Sequence, residues 1–369
     1  MSRAKWILAG VTLALVLATV WAVRDTGQRT GYDARSEKLF PDLPAQAAKV
    51  RRIEIRSADD LVTLRGNGSE WTVVEKHDFP ADTAKVRALL EGLAGLVLIE
   101  PRTSDPARHQ ALNLTSPDQA GSRAAQVRLL GEGDAVLAAV VLGKYRAAAG
   151  QGPRQIYLRR PDQDQTWLAE GQADPQRAPA LWLHGEAVDL PQAQVSRVTV
   201  THPGSAPVTV QRDKPGEAFT LSGVPAGREP RATGIAAMAY GLQHLTLQNV
   251  FKPDEVAADW GQATSSVFDT FDGLSVTART VRVNQVPHVR LSAAVAASAS
   301  AEQRAAVAPQ AEHLNQRLAD WVFVIPPHTA ETFTPTLEDV LESNEPPREE
   351  PAGPSMPGMP RLPGMPGRS

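Results

Sequence analysis

The sequence predicts an α+β protein: two tandem repeated modules with antiparallel β-meander sheets, each covered by a helix, after an N-terminal transmembrane helix. Three observations carry this prediction. A run of 18 residues without a charge stands near the start of the 369-residue chain. After it, short segments that are apolar at every second residue alternate with turn residues, and a second series of them repeats the first at a nearly constant offset. No later apolar run is long enough to span a bilayer.

The elements follow in chain order. Residues 1–5 are a short cytoplasmic n-region carrying Arg3 and Lys5. Residues 6–23, Trp6 to Val23, form the transmembrane anchor. At about 1.5 Å per residue this run makes a helix of roughly 27 Å, close to the hydrocarbon thickness of a membrane. Trp6 and Trp21 stand near its two ends, where indole rings favour the interface. A cleaved secretory signal is the competing reading, with Val20-Trp21-Ala22 as the small-residue cleavage region, but the run exceeds the usual apolar stretch of a signal. Arg24, Arg29, Arg35 and Lys38 in the following linker, residues 24–47, blunt the charge contrast across the anchor. Large domains translocate largely regardless of loop charge, so both readings put the rest of the chain outside the cytoplasm.

The first α+β module spans residues 48–172 and the second residues 195–344, joined by a connection at 173–194 that is rich in Pro and Ala around Leu181-Trp182-Leu183. Val50 to Ile55 recurs as Val195 to Val200, an offset of 145, and Val62-Thr63-Leu64 recurs as Val208-Thr209-Val210, an offset of 146. Trp71-Thr72-Val73 returns as Phe219-Thr220-Leu221, and the helical series Val86, Leu89, Leu93, Leu96 returns as Ile235, Met238, Leu242, Leu245. Alternation predicts a three-stranded meander in each copy. Spacing by three and four predicts the helix that covers it, with Asp82 as N-cap in the first copy. Further strands are expected at 125–130, 135–142, 155–159 and 166–169, and in the second module at 267–271, 275–284 and 288–292. The Ala-rich stretch 293–309 is expected to be helical only in part, because Pro309 interrupts it, with a capped helix resuming near Glu312. Trp321 to Pro326 reads as a buried closing strand, against which Phe333 and Leu337–Leu341 pack. In the tail, residues 345–369, six prolines from Pro351 to Pro366 recur every third residue, the period of a polyproline helix, so an exposed disordered segment is expected.

Composition narrows function. The chain has no cysteine, which excludes disulfides, thiolate metal sites, iron–sulfur clusters, a cysteine nucleophile and lipidation. Balanced charge, 38 basic against 41 acidic residues, gives no footprint for nucleic acid. Gly66-Asn67-Gly68, Gly131-Glu132-Gly133 and Gly150-Gln151-Gly152 lack the third glycine and the strand-to-helix setting of a phosphate loop and read as hairpin turns. The histidines at 77, 109, 184, 202, 244, 288, 313 and 328 show no metal-ligand spacing. Asp254-Glu255 with Asp259, and Asp269 with Asp272, read as turn or helix-end carboxylates, and Met356, Met359 and Met365 are weak soft-metal candidates. Arg102, Arg108 and Lys144 with Tyr145 could make a basic lip on the first module. No hydrolase elbow occurs, so no catalytic, cofactor or metal residues are assigned and no cofactor is expected.

An ordered set of short signatures resembles the family called domain of unknown function 4340. It comprises Arg52 to Ile55, Trp71 with Pro80-Ala81-Asp82 and Lys85-Val86, and Ser104-Asp105-Pro106-Ala107-Arg108 leading to Leu112-Asn113-Leu114. It continues with Leu142-Gly143-Lys144, Ile156-Tyr157-Leu158, Trp182 before Asp189-Leu190-Pro191, and Trp321 to Pro326. The resemblance implies an anchored extracytoplasmic protein of the bacterial inner (cell) membrane that accompanies an ABC-type transport system of the gliding-motility kind, with integral-membrane transport proteins as partners. The expected function is that of a non-catalytic, single-pass accessory component. The alternative is a module that binds an envelope polymer or solute in a groove between the two modules, lined by Trp182 or Trp260. A hydrolase is the third reading.

Overall fold

A computed structural model of the protein describes residues 37–67, 69–146 and 153–343. The n-region, the anchor at 6–23, the tail at 345–369 with its methionines, and the glycines at 68, 150 and 152 lie outside the described residues. Among the described residues no helix is long and apolar enough to cross a membrane. The chain divides into two compact units between His184 and Gly185.

In the first unit the order is β1 (Glu37–Lys38), α1 (Leu43–Gln46), β2 (Arg52–Arg56), β3 (Leu61–Asn67), β4 (Glu70–Val73), β5 (Phe79–Pro80), α2 (Thr83–Ala94), β6 (Val97–Pro101), β7 (Ala125–Leu130), β8 (Val136–Arg146), β9 (Gln155–Arg159) and β10 (Thr166–Glu170). They form one ten-stranded antiparallel sheet in the order β1-β6-β10-β9-β8-β7-β2-β3-β4-β5. Strand alternation is obeyed on one face: Ile53, Ile55, Val62, Leu64 and Val73 are all fully buried. Each such side chain contributes about 1.5–3 kcal/mol of hydrophobic stabilisation. Asp82 caps α2 as expected, accepting from the amides of Ala84 and Lys85. Residues 37–46, placed in the linker by sequence, fold with this unit: Leu39, Phe40 and Leu43 are buried and β1 pairs with β6.

The second unit runs β11 (Glu186–Val188), β12 (Val195–Thr201), β13 (Val208–Gln211), β14 (Thr220–Leu221), α3 (Ala232–Tyr240), β15 (Leu245–Thr246), β16 (Asn249–Phe251), β17 (Thr264–Thr270), β18 (Leu274–Val283), β19 (Val286–Val295), α4 (Ala301–Leu318), β20 (Val322–Val324) and α5 (Pro327–Phe333). Its eight-stranded sheet has the order β14-β13-β12-β17-β18-β19-β20-β16, with β11 and β15 as a separate pair. Read from the other end, this is the central order of the first sheet, β6-β10-β9-β8-β7-β2-β3-β4, strand for strand. The repeat extends to register: Ile53 faces Leu64 and Val198 faces Val210, while Leu64 faces Val73 and Val210 faces Leu221. The offsets found in sequence are thus offsets between superimposable strand pairings.

Three expectations are corrected. The helical series outruns its helices: α2 ends at Ala94 and α3 at Tyr240, so Leu96, Leu242 and Leu245 lie beyond them. These leucines are nonetheless fully buried, which is why the apolar spacing continues where the helix does not. The Ala-rich stretch is split differently, since β19 continues to Val295 and α4 is one unbroken helix through Pro309, started by a Ser300–Gln303 capping box. Proline removes the hydrogen bond to the carbonyl four residues back, but Pro309 and Ala305 are both exposed, on the face of α4 that is open to solvent. Finally, Phe333 sits edge-on to Phe268 of β17, and the carbonyl of Val340 receives the amide of Arg231, so this segment has neighbours on β17 and at the start of α3 that the expectation did not name.

One substitution inside the repeat is instructive. Gly66 lies under the Trp71 ring, 3.0 Å from where a Cβ would stand. At the matching place in the second unit Arg212 lies between Phe219 and Phe271, at 4.4 and 5.6 Å from their centroids. Its guanidinium donates to the carbonyls of Val195, Gln192 and Glu217.

Candidate functional site

One concavity among the described residues lies wholly in the first unit, where β8 and β9 run past the end of β7. β7 pairs with β8 only as far as Leu142, so among the described residues Gly143 to Arg146 have no strand on that side. A cavity of about 760 Å³ opens there. Its floor includes Leu142, Gly143, Tyr145 and Ile156, and one wall is the β2–β3 turn with Asp59 and Asp60. Gly143 is required by a close approach: a Cβ there would stand 2.3 Å from the Leu112 carbonyl.

The opposite wall is a strap, residues 172–183, all of which but residue 172 the sequence assigns to the connection. Hydrogen bonds to four other places fasten it. Tyr145 donates to the Ala173 carbonyl at 2.7 Å and Lys85 to the Leu181 carbonyl at 2.8 Å. Arg177 of the strap donates to the Arg123 carbonyl at 2.7 Å, and the Asp82 amide donates to the Trp182 carbonyl. The buried Trp182 indole donates to the Gln176 carbonyl at 2.8 Å, folding the strap on itself. On α2, Gly92 lets the Gln172 carbonyl approach to 2.3 Å from a would-be Cβ. Burial first, then the Asp174 carboxylate, push the Tyr145 phenol above its ordinary range; its bond to Ala173 and the Arg154 guanidinium over its ring pull the other way.

The groove carries charge of both signs: Arg123, Lys144 and Arg177 stand in its lining without an ion-pair partner among the described residues, as do Asp59 and Asp60, and the Asp174 carboxylate stands there too, accepting from the Gln176 side-chain amide. Arg102 and Arg108, the other members of the expected basic lip, are elsewhere: Arg102 pairs with Glu100 and lies over Tyr157, and Arg108 pairs with Asp105. Next to the groove Arg159 is buried and donates to the carbonyls of Leu114, Arg160 and Pro161. Burial lowers its basicity, partly offset by Asp164.

The remaining candidates resolve into local structure. His109 is buried and its Nε2 meets the Asp164 carbonyl; His202 engages Thr264 and the Pro335 carbonyl with its two nitrogens; His288 meets the Val286 carbonyl and stacks on Phe251. His77 closes a turn in the left-handed region, His184 donates its amide to the Pro80 carbonyl, and His313 and His328 are exposed. Glu255 accepts from the Lys252 amide, Asp259 from the Gly261 amide, and Asp272 from the Thr270 hydroxyl. Trp260 receives Arg279 on its carbonyl and Arg290 over its ring.

One convergence was invisible to spacing rules. His244 Nδ1 lies 3.3 Å from Glu186 and 3.4 Å from Asp189, and the three exposed side chains bring their ligand atoms within 4.8 Å of one another. They are the described residues that could offer three ligands to a cation. A proton on Nδ1 shared between the carboxylates accounts for the same geometry, with the His244 amide also bound to Asp189. Strand pairing of β11 with β15 is what brings positions 58 residues apart together.

A family profile described as a domain of unknown function, DUF4340, matches residues 71–263. The match covers the strap, the groove floor and most of the repeat. No curated protein and no solved structure matches the chain.

Proposed function

The chain belongs to the domain of unknown function 4340 family, and from that premise we propose that it is a non-catalytic, single-pass protein of the bacterial inner membrane that serves as an accessory component of an ABC-type transport system. Trp6–Val23 is its anchor in this reading, and the two modules stand outside the cytoplasm. The observation that carries it is the duplicated sheet, two copies of one antiparallel order repeated down to the register, a scaffold of the kind suited to docking. In the first copy Tyr145, Lys85 and Arg159 spend their polar groups on fastening main chain, an economy suited to a rigid docking body. The test is crosslinking in intact membranes followed by identification of the captured proteins. Recovery of a permease or ATPase supports the reading, and repeated recovery of no integral-membrane partner refutes it.

A second reading, a module that binds an envelope polymer or solute, is favoured by one feature, the groove within the first unit, which is lined by charged side chains of both signs. Binding measured on the full chain by calorimetry separates the two, because this reading requires a soluble ligand to bind without any membrane partner.

A further inference from the structure

We propose that Glu186, Asp189 and His244 of the second unit form a binding site for a zinc ion, with the fourth position open to solvent. Two carboxylates alone would make a solvated acidic turn. The imidazole adds a nitrogen ligand, which suits zinc and does not suit calcium or magnesium, whose ligands are oxygens. The geometry fits that ion. His244 Nδ1 stands 3.3 Å from a Glu186 oxygen and 3.4 Å from an Asp189 oxygen, and the three ligand atoms lie within 4.8 Å of one another. A tetrahedral zinc with bonds of about 2.0–2.1 Å has ligand-to-ligand edges of about 3.3–3.4 Å. A charged N–H···O bond closes to about 2.7–2.9 Å, so a proton shared on Nδ1 fills this gap loosely, whereas zinc fills it at full bond length. The two carboxylates balance the charge of the ion, and the exposure of all three side chains leaves room for water in the fourth position.

The repeat supplies a second, independent reason, because the fold does not require these side chains. His244 stands 149 residues after Gly95, the offset that also carries Leu96 to Leu245 and Val97 to Thr246. Glu186 lies opposite Thr246 in the β11–β15 pair, where the first unit sets Lys38 opposite Val97 in the β1–β6 pair. One pairing is thus made with a lysine and a glycine in the first unit and with a carboxylate and an imidazole in the second. His244 moreover takes a left-handed φ of 49°, which costs a residue with a side chain more than it costs glycine. Main chain fixes the ligands in place. The His244 amide donates to the Asp189 carboxylate, the Leu190 amide to the Leu242 carbonyl, and the Gln192 amide to the Gln243 side chain. An ion held here ties β11 to the turn that follows α3.

The experiment uses the full chain in detergent micelles, freed of metal with a chelator, and titrates zinc chloride into it by calorimetry at neutral pH while a parallel thermal melt reads stability. The expected result is saturable binding and a melting temperature that zinc raises. His244→Gly puts the first unit's residue at this place and relieves the left-handed backbone, so the variant should fold and yet bind zinc about tenfold or more weakly. Glu186→Gln, which keeps the shape of the side chain, should weaken binding by a similar factor. In both variants the rise in melting temperature with zinc should shrink. An excess of calcium chloride should leave the zinc titration unchanged. Absence of zinc binding, zinc binding that neither substitution affects, or displacement of zinc by calcium overturns the proposal.

Discussion

Replacing Tyr145 by Phe removes one atom from the fastening of the strap and little else. The ring stays, so no cavity opens, and the Arg154 guanidinium keeps its place 5.4 Å from the ring centroid. What goes is the 2.7 Å bond to the Ala173 carbonyl. A hydrogen bond of this kind contributes about 0.5–1.5 kcal/mol net, and the carbonyl left behind on the buried Ala173 pushes the cost toward the upper end. For a unit of this size that is a lowering of melting temperature by about 2–5 °C. The effect has a pH signature. The folded state holds the phenol above its ordinary value, chiefly through burial and then Asp174. Above the unfolded tyrosine value near 10 the folded state therefore binds more protons than the unfolded one, and stability falls as pH rises. Below pH 10 the contribution is fully present; it is lost as pH climbs through the raised folded value. Tyr145→Phe has no such loss, so the gap between the two proteins should narrow from pH 9 to 11. Urea titrations across that range read the gap, and amide exchange of residues 172–183 localises it. A variant as stable as the parent at pH 7, or a gap that stays constant to pH 11, would refute the reasoning.

Three further outcomes follow from close contacts elsewhere. Gly92→Ala drives a methyl into the Gln172 carbonyl, 2.3 Å away, and should cost about 1–3 kcal/mol in urea unfolding while speeding amide exchange in the strap. Pro309→Ala restores the helical bond to Ala305 on the exposed face of α4 and should raise stability by about 1–2 kcal/mol, less than the full propensity difference because the unfolded chain gains freedom. Asn315→Ala removes both side-chain bonds, each 2.7 Å, that its amide makes to the amide and carbonyl of Ala293 on β19, and thermal unfolding should show a loss of about 2–3 kcal/mol.

Much of the sheet was legible because alternation is local: Val62, Leu64, Val208 and Val210 declare their strands within three residues, and duplication declares the modules. Helix ends were not, because Leu96 and Leu245 keep helical spacing while being buried outside the helix. Nor was the continuity of α4, which depends on Pro309 facing water. Short strands such as β1, β5, β11 and β16 carry too few residues for a period to show. The candidate groove was half legible. Lys144 and Tyr145 were singled out, but their true neighbours come from the strap and the β2–β3 turn. Its wall is made by side chains bonding to carbonyls, as Lys85 does to Leu181 across 96 positions, and a carbonyl leaves no mark in sequence. The same holds for the cluster at His244, assembled by the pairing of β11 with β15.

The pair Gly66–Trp71 in one unit and Arg212–Phe219 in the other occupy one address in the repeated plan and fill it by unlike means, an indole laid on bare backbone in one and a cation held between rings in the other. Each half presupposes its companion: an arginine at 66 would collide with the tryptophan, and a glycine at 212 would strand three carbonyls that now receive its protons. Once the two copies had adopted different partners here, sequence could no longer pass between them one residue at a time. Any hybrid of the two units has to exchange this pair together.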